Sequence, residues 1–450
     1  MNIIIIGAGE VGFQIAERLV LENHDVVIVD KDPEKILEIN RSLDVLTIIG
    51  QGGDFNVLNK AGIRNCDILI AATDVDETNM IACYIAKKFN VPSKIARIRN
   101  YFLKSENQDD DIFTKDELGI DVLINSEYVA TDDIIKLIHS PAAFEIVDFP
   151  EEELIIKGFR ITPGLDINNQ KLKDLINFPE LNKMLVLAII RNDEMIIPRG
   201  DSNFQTGDKV YIIAKTIDFP KISSFFDESQ HSIRSVFVVG ANKFSRLLCK
   251  HFQEMDIHVK VIEPDRNKCL AFSEEYHNID VVNCSPTDLE ALKEEGLENI
   301  DAFIALSDDE ENNILSSMLA KKQKVRKTIA KIQKNDYLPF TSIMGIDAVI
   351  NPKLSTVGGI LKYVRRGNVL SVSTLGEKNA EIIEYLITGK NKLIGIPFRK
   401  IKFPPGCLVA AIMRVDEQII PKGDDTLQIG DRIIVFVSPE AVNKVGKLFG

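Results

Sequence analysis

Three glycines and one acid near the start of the chain have the spacing of a grip on phosphate. Gly7-Ala8-Gly9-Glu10-Val11-Gly12 follows the apolar run 3–6 without a gap and leads into a helical apolar repeat over 13–21. A second apolar run, 26–29, ends on Asp30, eighteen positions after Gly12. In a G-x-G-x-x-G turn between a strand and a helix, the first glycine permits the tight turn. The second lets the backbone approach a pyrophosphate, and the third lets helix and strand pack closely. The N–H groups and dipole of the helix start favour a phosphate. Asp30 can accept from both ribose hydroxyls, and its charge would repel a 2′-phosphate, so the pattern predicts NAD(H) rather than NADP(H). The chemistry implied is recognition of a dinucleotide.

Whether that dinucleotide is also used depends on acid–base partners. A dehydrogenase needs a proton donor or acceptor beside the nicotinamide, usually His, Lys or Tyr. His24 and His139 are the only histidines before residue 228, and neither lies near the carboxyl end of a predicted strand. No catalytic residue is assigned; an NAD-dependent oxidoreductase is the competing reading, and a scaffold whose nucleotide site has lapsed is a third. The six cysteines show no C-x-x-C spacing and are read as reduced thiols. The six histidines are scattered, so no metal centre is expected.

The elements that must position the grip alternate. Strands are expected at 3–6, 26–29, 45–49, 68–71, 94–98 and 120–124, with helices between them, as in a parallel sheet covered on both faces. In such sheets ligands sit at the carboxyl ends of the strands, where the order reverses. Gly7, Asp30, Gly53-Asp54, Thr73-Asp74 and Arg97 all fall at or near those ends. An amphipathic helix follows at 126–139. The pattern then changes to strands at 144–147, 154–159, 184–190 and 210–214 with less helix between, which reads as a smaller α+β domain.

After this the sequence repeats. Gly240 answers Gly7 at an offset of 233, and Glu263 answers Asp30 at the same offset. Asp288, Gly296, Ser307-Asp308, Asn313 and Lys331 answer Asp54, Gly62, Thr73-Asp74, Asn79 and Arg97 at 234. Later, residues 419–424 answer 196–201, and Gly430-Asp431 answers Gly207-Asp208, at 223. The plan is therefore α/β, with two Rossmann-like domains, each followed by a small α+β domain. The expected boundaries are 1–125, a crossover helix 126–140, 141–227, a linker 228–232, 233–351, a second crossover helix 352–367, and 368–450. The copies differ where chemistry matters. Asn242 and Ser245 replace the second and third glycines, and Lys331 and Gln333 replace Arg97 and Arg99. A Cβ at 242 hinders backbone approach to a ligand. Gly240, Glu263, Ser307 and Lys331 are thus candidates for a second nucleotide site or parts of a purely structural copy.

Bulk properties narrow the partners. The 450 residues are 45% hydrophobic and 27% charged, ordinary globular material, and a length that suggests about three domains before the repeat is seen. A net charge of −13 argues against nucleic acid and against adsorption to anionic lipid. No apolar run approaches the roughly 18 residues of a membrane span. The chain opens directly in a core strand, so no signal peptide is expected.

The order of these segments resembles the TrkA family of potassium-uptake regulatory proteins, which carry two RCK-type units, each a Rossmann-like domain followed by an RCK C-terminal domain. The resemblance rests on Gly7–Gly12, Gly53-Asp54, Ala72-Thr73-Asp74-Val75-Asp76-Glu77-Thr78-Asn79, Ala96-Arg97 and the paired Ile-Pro-Arg/Lys-Gly-Asp segments, and covers nearly the whole chain. It implies a non-catalytic, cytoplasmic subunit lying against the inner face of the membrane. That subunit would gate a separate membrane potassium-translocating protein when its nucleotide state changes, as a homo-oligomer, dimer or tetrameric ring. It also implies roles: Gly7, Ala8, Gly9, Glu10 and Val11 on the diphosphate, Asp30 on the adenosine ribose, Asp54 near the adenine, Thr73-Asp74 near the distal sugar or phosphate, and Arg97 on a phosphate. Against these stand helix capping for Asp54 and Thr73, and an inter-subunit ion pair for Arg97. Glu10 occupies a position where ATP-sensing relatives carry a cation, so NAD(H) is expected before ATP or ADP. The crossover helices are expected to pack on a neighbouring domain through Ile134-Ile135-Leu137-Ile138 and Ile360-Leu361-Tyr363-Val364, or else on their own sheets.

Overall fold

The computed structural model describes residues 1–22, 24–99, 114–149, 153–192, 194–226, 232–341, 343–364, 369–375, 380–415 and 417–449. The expected linker 228–232 lies outside these residues except for Ser232, as do 365–367 at the end of the second crossover helix.

The first half opens with β1 (Asn2–Ile6), α1 (Glu10–Leu21), β2 (Asp25–Asp30), α2 (Pro33–Ser42), β3 (Leu46–Ile49), α3 (Phe55–Lys60) and β4 (Ile68–Ala71). It continues with α4 (Asp76–Lys88), β5 (Ser93–Arg97), α5 (Lys115–Leu118), β6 (Val122–Ile124) and α6 (Ser126–His139). A small sheet follows, from β7 (Ala143–Phe149), β8 (Leu154–Arg160), β9 (Leu185–Arg191), β10 (Glu194–Ile196) and β11 (Lys209–Lys215), closed by α7 (Phe219–Ser223).

The second half repeats the plan. Its parallel part is β12 (Ser235–Val239), α8 (Lys243–Glu254), β13 (His258–Ile262), α9 (Arg266–Glu275), β14 (Asp280–Val282), α10 (Leu289–Glu294) and β15 (Ala302–Ala305). Then come α11 (Glu310–Lys322), β16 (Lys327–Lys331), α12 (Leu338–Thr341), β17 (Ala348–Ile350) and α13 (Pro352–Val364). Its small sheet is β18 (Val369–Leu375), β19 (Ala380–Leu386), β20 (Cys407–Arg414), β21 (Glu417–Ile419) and β22 (Arg432–Val437), with α14 (Val442–Phe449) after it.

The two parallel sheets run β3-β2-β1-β4-β5-β6 and β14-β13-β12-β15-β16-β17, the same order in both copies. Each reverses direction of growth between its first and fourth strands, which is where a doubly wound sheet opens a crevice. The unbroken apolar runs follow from burial on both faces. In β1, Ile3 and Ile5 pack with Ile15, Leu19 and Ile36, while Ile4 and Ile6 pack with Leu58, Ala82 and Ala86 on the opposite face. Alternation of side chains along a strand makes one run serve two cores. The small sheets, β10-β9-β11-β8-β7 and β18-β19-β22-β20-β21, are antiparallel.

By packing, the chain forms two units, one of Met1–Val129 with α13, the other of Ala130–Asn351 with the C-terminal small sheet. Each crossover helix serves a sheet other than the one it leaves. In the first unit, Val357, Ile360, Leu361 and Val364 of α13 enter the core cluster of Ile15, Leu19 and Ile70, while Tyr363 stays exposed. In the second, Ala130, Ile134, Leu137 and Ile138 of α6 join Val236, Leu248 and Phe252. Also within the second unit, the two small sheets share a core in which Leu187 and Tyr211 meet Ile382, Ile434 and Phe436. The repeated Gly-Asp pairs of the small domains prove structural. Asp208 is fully buried and takes a two-pronged bond from Arg191 (2.8 and 2.7 Å), and Asp431 takes the same from Arg414 (both 2.9 Å). A planar guanidinium suits this task, and the geometry keeps a buried carboxylate satisfied.

All six cysteines are free thiols. Burial pushes Cys83, Cys249 and Cys407 up to about 12, so these are inert at neutral pH. Among the described residues, no helix is long and apolar enough to cross a membrane.

Because α13 completes a core to which it is not adjacent in sequence, Ile360→Ala should destabilise the first unit by about 2–5 kcal/mol. Hydrogen exchange should then show the loss of protection in β1 and α1; unchanged protection there would contradict this packing.

Candidate functional site

The site is built at the carboxyl ends of β1, β2, β4 and β5. Gly7 leaves β1 with φ +111°, and its N–H donates to Val29 O (2.8 Å), tying the turn to β2. A Cβ at Gly12 would stand 1.9 Å from Gly7 O, so α1 lies directly on the turn. In front of Gly9 a Cβ would meet nothing within 4 Å. Gly9 is the N-cap of α1 in an extended conformation, and no side chain caps the helix. The first N–H groups of a helix lack intrahelical partners, so here they face an open approach.

Asp30 ends β2 and accepts the Ala8 N–H (2.6 Å) and the Asp32 N–H (2.9 Å). A carboxylate has about four acceptor positions, so two remain for hydroxyls. With the Gly7 and Ala8 N–H groups engaged, the donors left for a phosphate are those of Gly9 to Val11 at the helix start.

Thr73, Asp74 and Arg97 converge through a residue the sequence reading had not placed in the site. Asn79, fully buried in α4, accepts from the N–H (3.0 Å) and hydroxyl (2.7 Å) of Thr73. Its amide donates to Thr73 O (3.0 Å) and Arg97 O (2.7 Å), so one side chain ties the end of β4 to the end of β5. Arg97 Nη1 meets Asp74 Oδ1 at 3.0 Å, and its Nε donates to Ser126 Oγ (3.1 Å). Within this chain, then, Arg97 already holds an ion pair, with Asp74. Asp76, also buried, accepts the Arg99 N–H with both oxygens (3.0 and 3.1 Å). The repeat Asn79/Asn313 carried this signal; a polar residue kept at matching positions inside two helices points to a buried bridge.

Asp54 takes the capping role, accepting the Asn56 N–H (2.7 Å) at the start of α3. Its loop borders the turn all the same, since a Cβ on Gly52 would lie 2.0 Å from Ile6 Cγ2. Glu10 has a partner no local motif could reveal: Lys353 Nζ, at the start of α13, lies 2.5 Å from Glu10 Oε2. Thr356 of the same helix donates to Ser126 Oγ (2.7 Å).

The second copy keeps the frame and closes the opening. Gly240 has φ +97°, Glu263 accepts the Ala241 N–H (2.8 Å) and Asp265 N–H (2.9 Å), and Asn313 repeats the bridge from Ser307 to Lys331 O. Lys331 Nζ pairs with Asp308 (2.9 Å), as Arg97 does with Asp74. Asn242, however, turns its side chain onto the start of α8. Its Oδ1 accepts the Ser245 N–H (3.0 Å), and its Nδ2 donates to Leu306 O (2.7 Å). The helix start that is open at Gly9 is here capped by the chain itself.

Taken chemically, the first site can hold a diphosphate at a helix N-terminus and a ribose at an acid. The fold defines a tandem Rossmann-type protein with small β-rich companion domains. A family model for the TrkA-N domain matches residues 3–126 and 236–352, and one for the TrkA-C domain matches 156–227 and 382–450. The Trk system potassium uptake protein TrkA of Halomonas elongata is 34% identical over all of this chain and 98% of its own. TrkA homolog 1 of Methanosarcina mazei is 32% identical, with both chains covered entirely. Among solved structures, the RCK domain of GsuK shares the fold at 13% identity, with a TM-score of 0.59 over 99% of this chain and 94% of that one. A GsuK channel described as bound to NAD superposes equally well, at 13% identity and TM-score 0.59, over 99% of this chain and 78% of that one. The chain belongs to the TrkA family.

Removing the bridge should loosen both strand ends at once. Asn79→Ala leaves buried groups of Thr73 and Arg97 without their partner, and should cost about 1–3 kcal/mol in chemical denaturation. A midpoint equal to that of the unaltered chain would show that Asn79 does not hold the site.

Proposed function

We propose that this chain is the nucleotide-sensing regulatory subunit of a Trk-type potassium uptake system, binding NAD(H) at its first glycine turn. The observation that carries this reading is the contrast between the copies: an uncapped helix start in front of Gly9, and a self-capped one at Asn242. Gly9 to Val11 and the helix dipole hold the diphosphate, and Asp30 holds the adenosine ribose. Arg97, already carrying Asp74, takes a phosphate as that exposed carboxylate gives way; Thr73 lines the same end of the sheet.

Membership in a family whose members carry the Trk potassium-uptake name, and a channel of the same fold described as bound to NAD, support the role and the ligand. The membrane potassium-translocating protein is a separate chain, and this subunit acts on it from the cytoplasmic side, without catalysing a reaction. Assembly with further copies is supported by apolar side chains left outward at matching places in both halves, Ile81 and Tyr84 on α4, Leu315 and Met318 on α11. Glu10 weighs against an additional terminal phosphate, and its pairing with Lys353 tempers that effect, so ATP and ADP are weaker competitors for the same site.

Calorimetry should find one NADH per chain, and Asp30→Ala should weaken it at least about tenfold while the circular dichroism spectrum is kept, the loss expected for hydrogen bonds to a charged group. Two equivalents per chain, or an affinity indifferent to Asp30, would defeat the site assignment. A strain lacking this chain should grow poorly at low potassium and recover when it is returned; normal potassium uptake in that strain would reject the transporter role.

A further inference from the structure

The loop from β19 to β20, in the second small domain, carries a charge opposite to that of the chain as a whole. Residues 387–415 hold six Lys or Arg and no Asp or Glu, in a chain of net charge −13. The corresponding stretch of the first small domain, 161–192, holds four Lys or Arg and three Asp or Glu. The two stretches match in structure. Ile161 and Ile387 donate their N–H groups to Asp208 O and Asp431 O, and Arg191 and Arg414 grip the side chains of the same two acids. The excess of cations thus belongs to one copy of a scaffold that both share.

The loop lies along the segment between β21 and β22. Gly395, Phe398 and Arg399 donate their N–H groups to Leu427 O (2.9 Å), Asp425 O (3.0 Å) and Gly423 O (2.8 Å). Nearer the loop's start, a Cβ on Gly389 would stand 3.6 Å from Ile429 Cδ1. These contacts make one surface strip, on which Lys390, Lys392, Arg399, Lys400, Lys402 and Lys422 are all exposed. Arg399 pairs with the exposed Asp424 at 2.8 Å. Two apolar side chains, Ile396 and Ile429, are exposed on the same strip.

The kind of cation selects the partner. Lysine carries a compact, strongly hydrated point charge on a flexible stem, whereas the planar guanidinium suits two-pronged recognition of one carboxylate or phosphate. Five lysines to one arginine, and that arginine already paired, fit a diffuse anionic surface better than a single anion or an acidic protein face. Exposed isoleucines among the lysines fit a charged layer that overlies hydrocarbon. The net charge of the whole chain does not oppose such a contact, because charges more than about 8 Å away are largely screened at physiological ionic strength. We infer that this strip is a membrane-contact surface, docking the second small domain on anionic lipid headgroups. The inference goes beyond the nucleotide reading, since it holds whichever ligand the first glycine turn takes.

The test is co-sedimentation of the full chain with vesicles of phosphatidylglycerol and phosphatidylcholine in equal parts, and with vesicles of phosphatidylcholine alone. The expected result is binding to the mixed vesicles at about 0.1 M salt and release at about 1 M, where the Debye length falls to about 3 Å. Phosphatidylcholine alone should bind little. Lys400→Gln with Lys402→Gln should weaken binding about twentyfold, roughly fivefold for each lysine beside a charged surface. Lys390→Gln with Lys392→Gln should do the same. All four side chains are exposed, so an unchanged melting curve by circular dichroism reports that each variant is folded. Lys171→Gln with Lys173→Gln, exposed lysines in the matching stretch of the first copy, should leave vesicle binding unchanged. Absence of binding to the mixed vesicles would overturn the inference. So would equal binding to phosphatidylcholine alone, full binding in both strip variants, or an equal loss in the first-copy variant. Tighter binding to double-stranded DNA than to vesicles, lost with the same lysines, would overturn it in favour of nucleic acid.

Discussion

The first half turns on a contact with no room in it. Helix α1 lies so close over the turn it leaves that a single methyl group at Gly12 would stand 1.9 Å from Gly7 O. That approach aims the start of α1 across the carboxyl ends of the strands. It leaves open space in front of Gly9, and it brings Ala8 within reach of Asp30. The remaining site residues are arranged around an end of a helix that this contact has placed. Electrostatics then follows from geometry, because the partial charge of a helix terminus is felt only within the first turn.

The duplication acts as an internal comparison. Both copies retain the acid at the end of the second strand, the left-handed glycine and the buried asparagine bridge. These are demands of the fold, satisfied whether or not a ligand is held. What separates the copies is confined to the helix start, where Asn242 supplies from within the chain the acceptor that a phosphate would supply from outside. Ser245, in the place of Gly12, is accommodated and fully buried, so the second turn has relaxed around a side chain the first could not admit. On the proposed reading, a nucleotide would contribute to one half what an asparagine contributes permanently to the other.

Much of this was legible in the sequence, for physical reasons. Runs such as Ile3–Ile6, buried on two faces, can only be interior parallel strands, and the spacing from Gly7 to Asp30 is set by one strand–helix–strand passage. The recurrence of those features at a fixed offset exposed the four-part plan. The small-domain Gly-Asp pairs were legible as a repeat but not as buried arginine partners, because Arg191 and Asp208 meet only through sheet register. Helix ends blurred for a local reason: α1 starts at Glu10, where the glycine motif masks the helical period, instead of at Phe13. Lys353 comes to lie beside Glu10 only through the exchange of helices. No local pattern encodes such meetings.

That exchange also bears on how the protein is made. The four apolar side chains that α13 gives to the first core contribute roughly 1.5–3 kcal/mol each, yet they are among the later residues to leave the ribosome. The first sheet to be synthesised therefore waits, one face incompletely covered, while a small domain and a second parallel sheet are built behind it. Domains ordinarily finish in the order of their synthesis. In this chain the earliest is sealed by a helix made after the first three of its four domains, so its glycine turn is backed by a complete core only once most of the chain exists.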